Sequence, residues 1–446
     1  MTWDSISFIY LFLPVSILLF RLIPQQYRTP YLAVISWAYY MFAGFSAFLI
    51  LAANCLLDFV LLGFLDIYSS TGRRGSAYGL FAGKAAAVLL LVLFYSHFQP
   101  GAALGIFVYT ATLLGYLWDL YRGQAQVFYS FWDYAVFTTF FGKAGLGPVV
   151  RYQRFVPQLA GLRSSATAIS RGAVWFVTGL AKKVVIASGT IMLYQDLAGI
   201  PVEEYTLFSA WALVFSAAMS IFFTISAYSD MARGLCSMFS LEVPRIIYYP
   251  YQAKSFVECV SRINMSLYDL VLDVVSGSAE SVRPLKRYRQ ADAKELAAVF
   301  AGVLVVGVWL QPSPAMLLWA LFLFGMILAE RYLYFGLIRY LPGILQSAFT
   351  FVVFLVSLVP LVSPTIWDSG TLLSTLMGFS GRNMVSDETG YYIASNYLAV
   401  LLSLLFFTSG LDRLAEMLSR RFPTASEWMA ALFNCTLLVV STAMLI

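Results

Sequence analysis

Charged side chains are scarce in this sequence of 446 residues, where Asp, Glu, Lys and Arg together make up only 11%. A soluble globular domain carries about 25%, so this chain has too little charge to cover a globule of its size in water. Hydrophobic residues make up 60% of the chain and gather in long runs. The sequence therefore excludes a soluble domain and predicts an integral membrane protein that crosses the bilayer many times.

Histidine and cysteine are also rare. The single histidine, His97, lies in the short segment YSHFQPG, and we interpret it as an ordinary loop residue. The four cysteines, at positions 55, 236, 259 and 435, form no CxxC pair and are interpreted as small buried side chains in apolar surroundings. We therefore expect no metal site in this chain.

The apolar runs predict about 10 to 12 transmembrane helices, because one span needs roughly 20 apolar residues. Their continuous, non-alternating character favours helices over a barrel. The first run has neither a basic leading segment nor a small-residue cleavage site, so we predict a retained span. The runs cover residues 9–22, 31–45, 49–65, 78–94, 104–120, 174–192, 207–227, 296–310, 315–332, 345–362, 397–407 and 429–446.

Two further features complete the predicted architecture. The run at 134–141 lies between polar flanks and is too short to span, which predicts a re-entrant or interfacial helix. No linker rich in Pro and Ser separates two independent halves. We therefore predict an all-α fold with a single transmembrane domain over residues 1–446.

The net charge of +5 does not indicate nucleic-acid binding, because basic residues of a membrane protein mark its cytoplasmic loops. Lys and Arg are absent from the connections at 43–46 and 96–101, whereas arginines at 21, 28, 73, 74 and 122 mark the others. This distribution predicts an N-terminus on the outer side of the membrane. The basic cluster at 283–289 is expected to face the anionic cytoplasmic leaflet, with a specific headgroup site as the alternative.

Polar residues inside apolar runs are costly, and we expect them to pair or to face a wet cavity. Asp119 and Arg122 lie three residues apart on one helical face, which suits an ion pair at a helix end. The segment SAYSDMARG at 226–234 repeats this spacing, and it predicts either such a pair or the lining of a polar pocket. The lining residues would be Tyr228, Ser229, Asp230 and Arg233.

Six segments resemble, in the same order, motifs of the membrane-bound O-acyltransferase (MBOAT) superfamily. The resemblance is closest to the bacterial branch that acetylates exported polysaccharides such as alginate. Each segment alone is a weak signal, but six in the family order are specific. The segments are FIYLFLP (8–14), LGYLWDLYRG (114–123), GPVVRYQRFVPQL (147–159), GLAKKVVIA (179–187), AYSDMARGL (227–235) and PYQAKS (250–255).

The resemblance implies an MBOAT-like ring of tilted spans around a thin, funnel-shaped centre, in a bacterial inner membrane. It implies that a cytoplasmic acyl donor and an outer-side acceptor meet in a tunnel that holds an active histidine. We expect structural roles for three residues of the matched motifs, Asp119, Arg122 and Arg151.

The chain departs from the family pattern at both histidines. The family's Glu-Phe-Trp-Arg-Arg-Trp-His-Ile-Ser-Leu-Ser reads ECVSRINMSLY here (258–268), which puts Asn264 at the first histidine position. The family's Gly-Leu-Trp-His-Gly reads GVWLQ (307–311), which puts Leu310 at the second. An asparagine amide forms hydrogen bonds but has no useful basicity, and loss of a general base alone costs roughly 10²–10⁴-fold in rate.

These replacements predict a protein that retains the family's fold and tunnel but has little catalytic activity. We therefore assign no catalytic residue and expect no bound cofactor. Asn264 is either a relic or a hydrogen-bonding group that still contacts a ligand. The residues expected to line the tunnel or bind substrate are Asn264, Arg262, Asp230, Ser229, Tyr228, Asp273 and Trp309.

Our hypothesis is a catalytically impaired MBOAT-like protein, a partner or tunnel component in the acylation or export of a cell-surface polysaccharide. Its partners would be membrane lipid, the polysaccharide, and an active paralogue or an outer-side acyl-transfer protein.

The alternative is an active enzyme that moves an acetyl group from acetyl-CoA or another acyl thioester to an exported polysaccharide or carrier protein. It needs a relocated base among Asp230, Glu258, Asp269 and Asp273. A transporter, the third interpretation, predicts inverted repeats that the sequence lacks.

Overall fold

The computed structural model describes residues 2–70, 75, 78–79, 82–84, 86–87, 106–277, 292–311, 313–334, 340–381, 383–410, 417 and 420–445. Within these ranges the secondary structure is helical and contains no β-strand. This result confirms the predicted all-α class. His97, the basic cluster at 283–289 and most of the predicted span at 78–94 lie outside the described residues.

Two of the described helices begin with a proline, whose missing N–H costs nothing in the first turn. The helices are α1 (Phe8–Leu22), α2 (Arg28–Ala43), α3 (Phe45–Ser70), α4 (Ile106–Tyr121), α5 (Phe131–Thr139), α6 (Tyr152–Ala160), α7 (Ala166–Ala198), α8 (Leu207–Met238), α9 (Phe256–Ile263), α10 (Met265–Ser276), α11 (Ala293–Leu310), α12 (Pro314–Ala329), α13 (Gly343–Val362), α14 (Ile366–Leu376), α15 (Asp387–Ser395), α16 (Tyr397–Phe406) and α17 (Pro423–Ala443).

Six of the described helices are long and apolar enough to cross a membrane, namely α3, α7, α8, α11, α12 together with its last turn, and α13. The bent pair α15 and α16, which meet at 72°, adds a seventh if it is counted as one span. The shorter apolar helices include α1. These findings make the chain a multi-pass membrane protein, while the total of 10 to 12 spans stays a prediction.

The chain divides into two compact units. Unit 1 comprises Met1–Leu180, Tyr228–Arg245 and Leu445–Ile446, and unit 2 comprises Ala181–Ala227 and Ile246–Met444. The division falls inside α7 and inside α8. The single domain over residues 1–446 stays a prediction.

The core of unit 1 is built from aromatic rings. Phe8, Tyr39 and Phe141 are at most 2% exposed, and their ring centroids lie 5.7 to 6.3 Å apart. Two glycines bring α7 and α8 together in this unit, since a Cβ atom on Gly172 would lie 2.6 Å from the carbonyl oxygen of Gly234. Such small-residue contacts let membrane helices approach closely without a hydrophobic driving force between them.

The short run at 134–141 forms α5 and a following 3₁₀ turn at Phe141–Lys143. Ser130 caps α5 by accepting a hydrogen bond from the Asp133 N–H at 3.3 Å. Nine residues extend about 14 Å, roughly half of a hydrocarbon core, so α5 cannot span. Its residues from 134 to 139 are all buried. The predicted short helix is therefore present, and its depth in the membrane stays a prediction.

In unit 2, glycines let two large aromatic side chains pack against α11. A Cβ atom on Gly302 would lie 2.6 Å from Tyr268 Cε2, and one on Gly307 would lie 3.1 Å from Trp319 Cε3. Tyr268 and Trp319 are 2% and 0% exposed. The contact at Gly302 holds α10 against α11, and α10 begins directly after Asn264.

The four cysteines are free thiols. Cys55, Cys236 and Cys259 are buried, as predicted, but Cys435 is exposed on α17, where the prediction is wrong. Apolar surroundings in the sequence do not ensure burial by protein, because a lipid-facing side of a helix is equally apolar.

Candidate functional site

Asn264 lies at the break between α9 and α10 and is 3% exposed. Its Oδ1 accepts hydrogen bonds from the Leu267 N–H and the Ser266 hydroxyl, both at 3.2 Å. Its backbone is non-helical (φ −141°, ψ 86°), as expected of a residue that caps a helix N-terminus. Asn264, the residue that the resemblance assigns to the family's first histidine, therefore has a structural role, which is to start α10.

The other end of the Asn264 side chain carries the Nδ2 amide group. Among the described residues, the Nδ2 amide donates to no acceptor, and no carboxylate forms a hydrogen bond with this side chain. An amide N–H can stabilise a carbonyl oxygen or an oxyanion, as amide donors do in acyl transfer. It cannot take the proton of an attacking hydroxyl.

Arg262 lies two residues before Asn264, in the last turn of α9, and is held in place by two partners. Its Nη2 lies 2.5 Å from Glu258 Oε1, and its Nη1 donates to the Tyr249 carbonyl oxygen at 3.2 Å. Tyr249 has φ +41°, a left-handed conformation that a tyrosine rarely adopts. The hydrogen bond that Arg262 donates to the Tyr249 carbonyl oxygen supports the strained turn that leads into PYQAKS.

The N-terminus of α9 is capped by two side chains. Ser255 accepts from the Glu258 N–H at 3.1 Å, and Glu330 accepts from the Phe256 N–H at 2.9 Å. Glu330 is 5% exposed and lies 74 residues further along the chain. Sequence reasoning missed Glu330, although an acidic residue at the end of an apolar run is a signal of this kind.

An open groove lies beside α9 within unit 2. Its volume is about 770 Å³, within the usual range of small-molecule sites. Its walls combine aromatic rings with polar groups, and Arg262 is the predicted site residue among them. The lining residues are Tyr248, Tyr251, Gln252, Lys254, Glu258, Arg262, Gly343, Ile344, Ser347, Ala348, Phe351, Phe407, Thr408 and Ser409.

The remaining predicted residues of unit 2 lie on α10 and α11. Asp273 is 8% exposed on α10. Trp309 and Leu310, both half-buried, lie in the last turn of α11. The resemblance assigns Leu310 to the family's second histidine, which stays a prediction. Leucine offers no proton acceptor there.

In unit 1, the segment at 226–234 forms the predicted ion pair. Arg233 Nη1 lies 3.8 Å from Asp230 Oδ1, and the Arg233 guanidinium lies 4.1 Å from the ring centroid of Trp175. Ser229 is buried, and the Tyr228 ring lies 5.9 Å from that of Trp3. The site residues Tyr228, Ser229 and Asp230 therefore belong to a different compact unit from Arg262 and Asn264.

Asp119 is fully buried and pairs with Arg151. Arg151 donates through Nε at 3.2 Å and through Nη2, so both carboxylate oxygens are bound. This bidentate pair joins two family-like motifs 32 residues apart. Arg122, three residues after Asp119, is exposed, and its pairing with Asp119 stays a prediction.

Two further buried polar groups of unit 1 are not among the predicted site residues. Asp58 is fully buried, where Lys84 Nζ lies 2.5 Å from Oδ1 and the Tyr109 hydroxyl donates to Oδ2 at 2.5 Å. Lys143 is also buried, donates to the Phe137 carbonyl oxygen and lies 4.7 Å from the Phe155 ring centroid. Burial lowers the pKa of Lys143 to about 7. The sequence shows Asp58 as a polar residue within an apolar run, but it does not indicate the partners Lys84 and Tyr109.

The described residues form a multi-pass helical membrane protein whose motifs resemble those of membrane-bound O-acyltransferases, and comparisons with known proteins support this resemblance. No protein-family model matches the chain. It is 25% identical over 342 residues to "Probable alginate O-acetylase AlgI" of Pseudomonas aeruginosa, a match of 72% of this chain and 64% of that protein. The like-named protein of Pseudomonas syringae is 24% identical over 443 residues, 91% of this chain and 82% of its own length.

A relative named for another activity is the "Peptidoglycan O-acetyltransferase" of Helicobacter pylori, 25% identical over 310 residues and matched over 58% of either chain. The chain spans less than two thirds of the length of the alginate O-acetylases of Pseudomonas aeruginosa, Pseudomonas fluorescens and Pseudomonas putida, at 64%, 54% and 59%. These homologues confirm the resemblance to the MBOAT superfamily.

Proposed function

We propose that this protein is a catalytically impaired O-acetyltransferase of the MBOAT type. It serves as a partner or tunnel component in the acetylation of a cell-surface polysaccharide or of peptidoglycan. The observation that carries the proposal is Asn264, whose Oδ1 is engaged in capping α10 and whose only further capacity is to donate.

The chemistry supports impairment. Transfer of an acetyl group breaks the thioester C–S bond, forms an ester C–O bond and moves the hydroxyl proton of the acceptor to a base. Asn264 can hold the acetyl carbonyl oxygen in this step. It cannot accept the proton, and neither can Leu310. Binding is therefore retained and proton transfer is lost.

The setting follows from the relatives and from the charge distribution. We place the protein in a bacterial inner membrane with its N-terminus on the outer side. Its donor would be acetyl-CoA or another acyl thioester. Its partners would be the polysaccharide and an active paralogue or an outer-side acyl-transfer protein that supplies the missing base.

Transfer from labelled acetyl-CoA to alginate or peptidoglycan fragments by the purified protein tests the proposal. We expect turnover at the level of a no-protein control, with the donor still bound in an equilibrium measurement. Turnover well above the control would contradict impairment. If Asp230→Asn or Asp273→Asn then abolished it while Asn264→Ala did not, the base has moved to a carboxylate.

A further inference from the structure

The groove beside α9 opens at the end of a membrane span. One wall is the first two turns of α13, where Gly343, Ser347 and Phe351 follow one another at intervals of four residues on one helical face. Because α13 is apolar and long enough to span, its first turns lie at the depth of the lipid headgroups. The groove is therefore accessible from the membrane interface.

Among the described residues, the lining of the groove carries one net positive charge, on Lys254. Glu258 also lines it, but its carboxylate is engaged by Arg262 at 2.5 Å and by the Lys254 backbone N–H at 2.8 Å. The Lys254 ammonium has no carboxylate partner among the described residues. Its side chain lies across Gly343, since a Cβ atom there would be 3.1 Å from Nζ. This cation is available to an anionic ligand.

Gln252 adds a preorganised donor two residues away. The Ser409 hydroxyl donates to Gln252 Oε1 at 2.9 Å, and the Ser347 hydroxyl donates to the Gln252 carbonyl oxygen at 3.0 Å. The Nε2 amide has no acceptor among the described residues. With its oxygen bound, the carboxamide presents N–H donors beside Lys254, as phosphate recognition requires.

The other walls of the groove are apolar and lead along the span. The Phe351 ring centroid lies 6.0 Å from that of Phe407 and 5.0 Å from that of Tyr251. Ile344, at the groove's rim, is 83% exposed, as a lipid-facing side chain is. A ligand that fills the groove therefore needs an anionic end and an apolar chain.

The side of the membrane follows from the charge pattern. The basic cluster at 283–289 precedes α11, and it is expected at the cytoplasmic face. Two spans, α11 and α12, then return the chain to that face before Gly343. The cytoplasmic leaflet is the one rich in anionic lipid, and basic pockets between spans on that side bind lipid headgroups.

We propose that this groove binds one anionic phospholipid of the cytoplasmic leaflet. The phosphate contacts the Lys254 ammonium and the Gln252 amide, and an acyl chain lies against Phe351 and Phe407. This inference does not depend on acyl transfer, because it concerns a lipid ligand of the groove and not the reaction at Asn264.

Native mass spectrometry of the purified full-length protein, titrated with phosphatidylglycerol or phosphatidylcholine, tests the site. Wild type is expected to retain one phosphatidylglycerol in preference to phosphatidylcholine. Loss of a hydrogen bond to a charged group weakens binding by about tenfold or more, so Lys254→Gln should weaken phosphatidylglycerol binding by that factor. Lys254→Arg should restore it. Lys294→Gln, which removes an exposed lysine at the start of α11, should leave it unchanged.

Three results would overturn the proposal. One is equal retention of phosphatidylglycerol by wild type and Lys254→Gln, both eluting as folded protein. Another is the absence of any preference for the anionic lipid in wild type. The third is displacement of the lipid by soluble acetyl-CoA, which would assign the groove to a phosphorylated thioester. Lipid retention is read out without acetyl transfer, so failure here leaves the proposed function standing.

Discussion

Units 1 and 2 use their polar groups in different ways. In unit 1, the carboxylates of Asp58, Asp119 and Asp230 each lie against a cation. In unit 2, Asn264 keeps an amide N–H group, and Lys254 an ammonium, without an acceptor or carboxylate among the described residues. Paired charges in a low-dielectric interior hold helices together, whereas a cation that lines a groove with no carboxylate partner among the described residues, as Lys254 does, remains available to a ligand. The comparison assigns structure mainly to unit 1 and recognition mainly to unit 2.

The largest effect on stability is expected from removing one member of a buried ion pair in unit 1. Asp119→Ala leaves the Arg151 guanidinium partly buried without its carboxylate. Removing one member of a buried pair costs about 3 kcal/mol of unfolding free energy. Thermal unfolding of the purified protein in detergent measures this loss. The matched control is Glu242→Ala, whose partner Arg171 is 49% exposed and whose own side chain is 75% exposed. Equal melting temperatures for the two variants would show that Asp119 is not structural.

A second, smaller effect tests the packing that positions Asn264 in unit 2. Gly302→Ala places a methyl group 2.6 Å from the buried Tyr268 ring, and overpacking of this kind costs about 1 to 3 kcal/mol. Gly325→Ala is the control, because nothing lies within 4 Å of a Cβ atom there. We expect a lower melting temperature for Gly302→Ala and no change for Gly325→Ala. Equal stability of the two variants would mean that α10 is not held by this contact.

The smallest effect separates the two roles of Asn264. Asn264→Ala removes the cap of α10 and should cost about 1 kcal/mol. Asn264→Ser keeps a capping oxygen but removes the Nδ2 donor, so stability should stay close to wild type while binding of the acyl donor weakens. Thermal unfolding and equilibrium binding of labelled acetyl-CoA measure the two roles. Unchanged donor binding in both variants would restrict Asn264 to its structural role and would weaken the contrast between the units.

Local patterns predicted the parts of this molecule that depend on neighbouring residues. Apolar runs predicted the spanning helices, because a bilayer requires about 20 apolar residues whatever surrounds them. The spacing of Asp230 and Arg233 predicted their contact, since residues three apart share one face of a helix. The short run at 134–141 likewise predicted a helix that cannot span.

Contacts between distant residues were not predictable in this way. Arg151 reaches Asp119 across 32 residues, and Glu330 reaches the start of α9 across 74. The groove is assembled from three separate stretches of chain around Gln252, Ser347 and Ser409. Such pairings depend on how helices pack, and hydrophobic periodicity carries no information about which helices become neighbours.

By itself, the sequence determined that this protein is a helical membrane protein, that it resembles the MBOAT superfamily and that it has one histidine, His97. Those properties follow from composition and from motifs that each lie within a few residues. Only the tertiary structure decided that Asn264 caps α10, that Asp119 forms an ion pair with Arg151 and that Lys254 lines a groove at the start of a span. The physical reason is that a hydrogen bond, an ion pair or a cavity exists only once separate segments are brought within a few ångströms of each other.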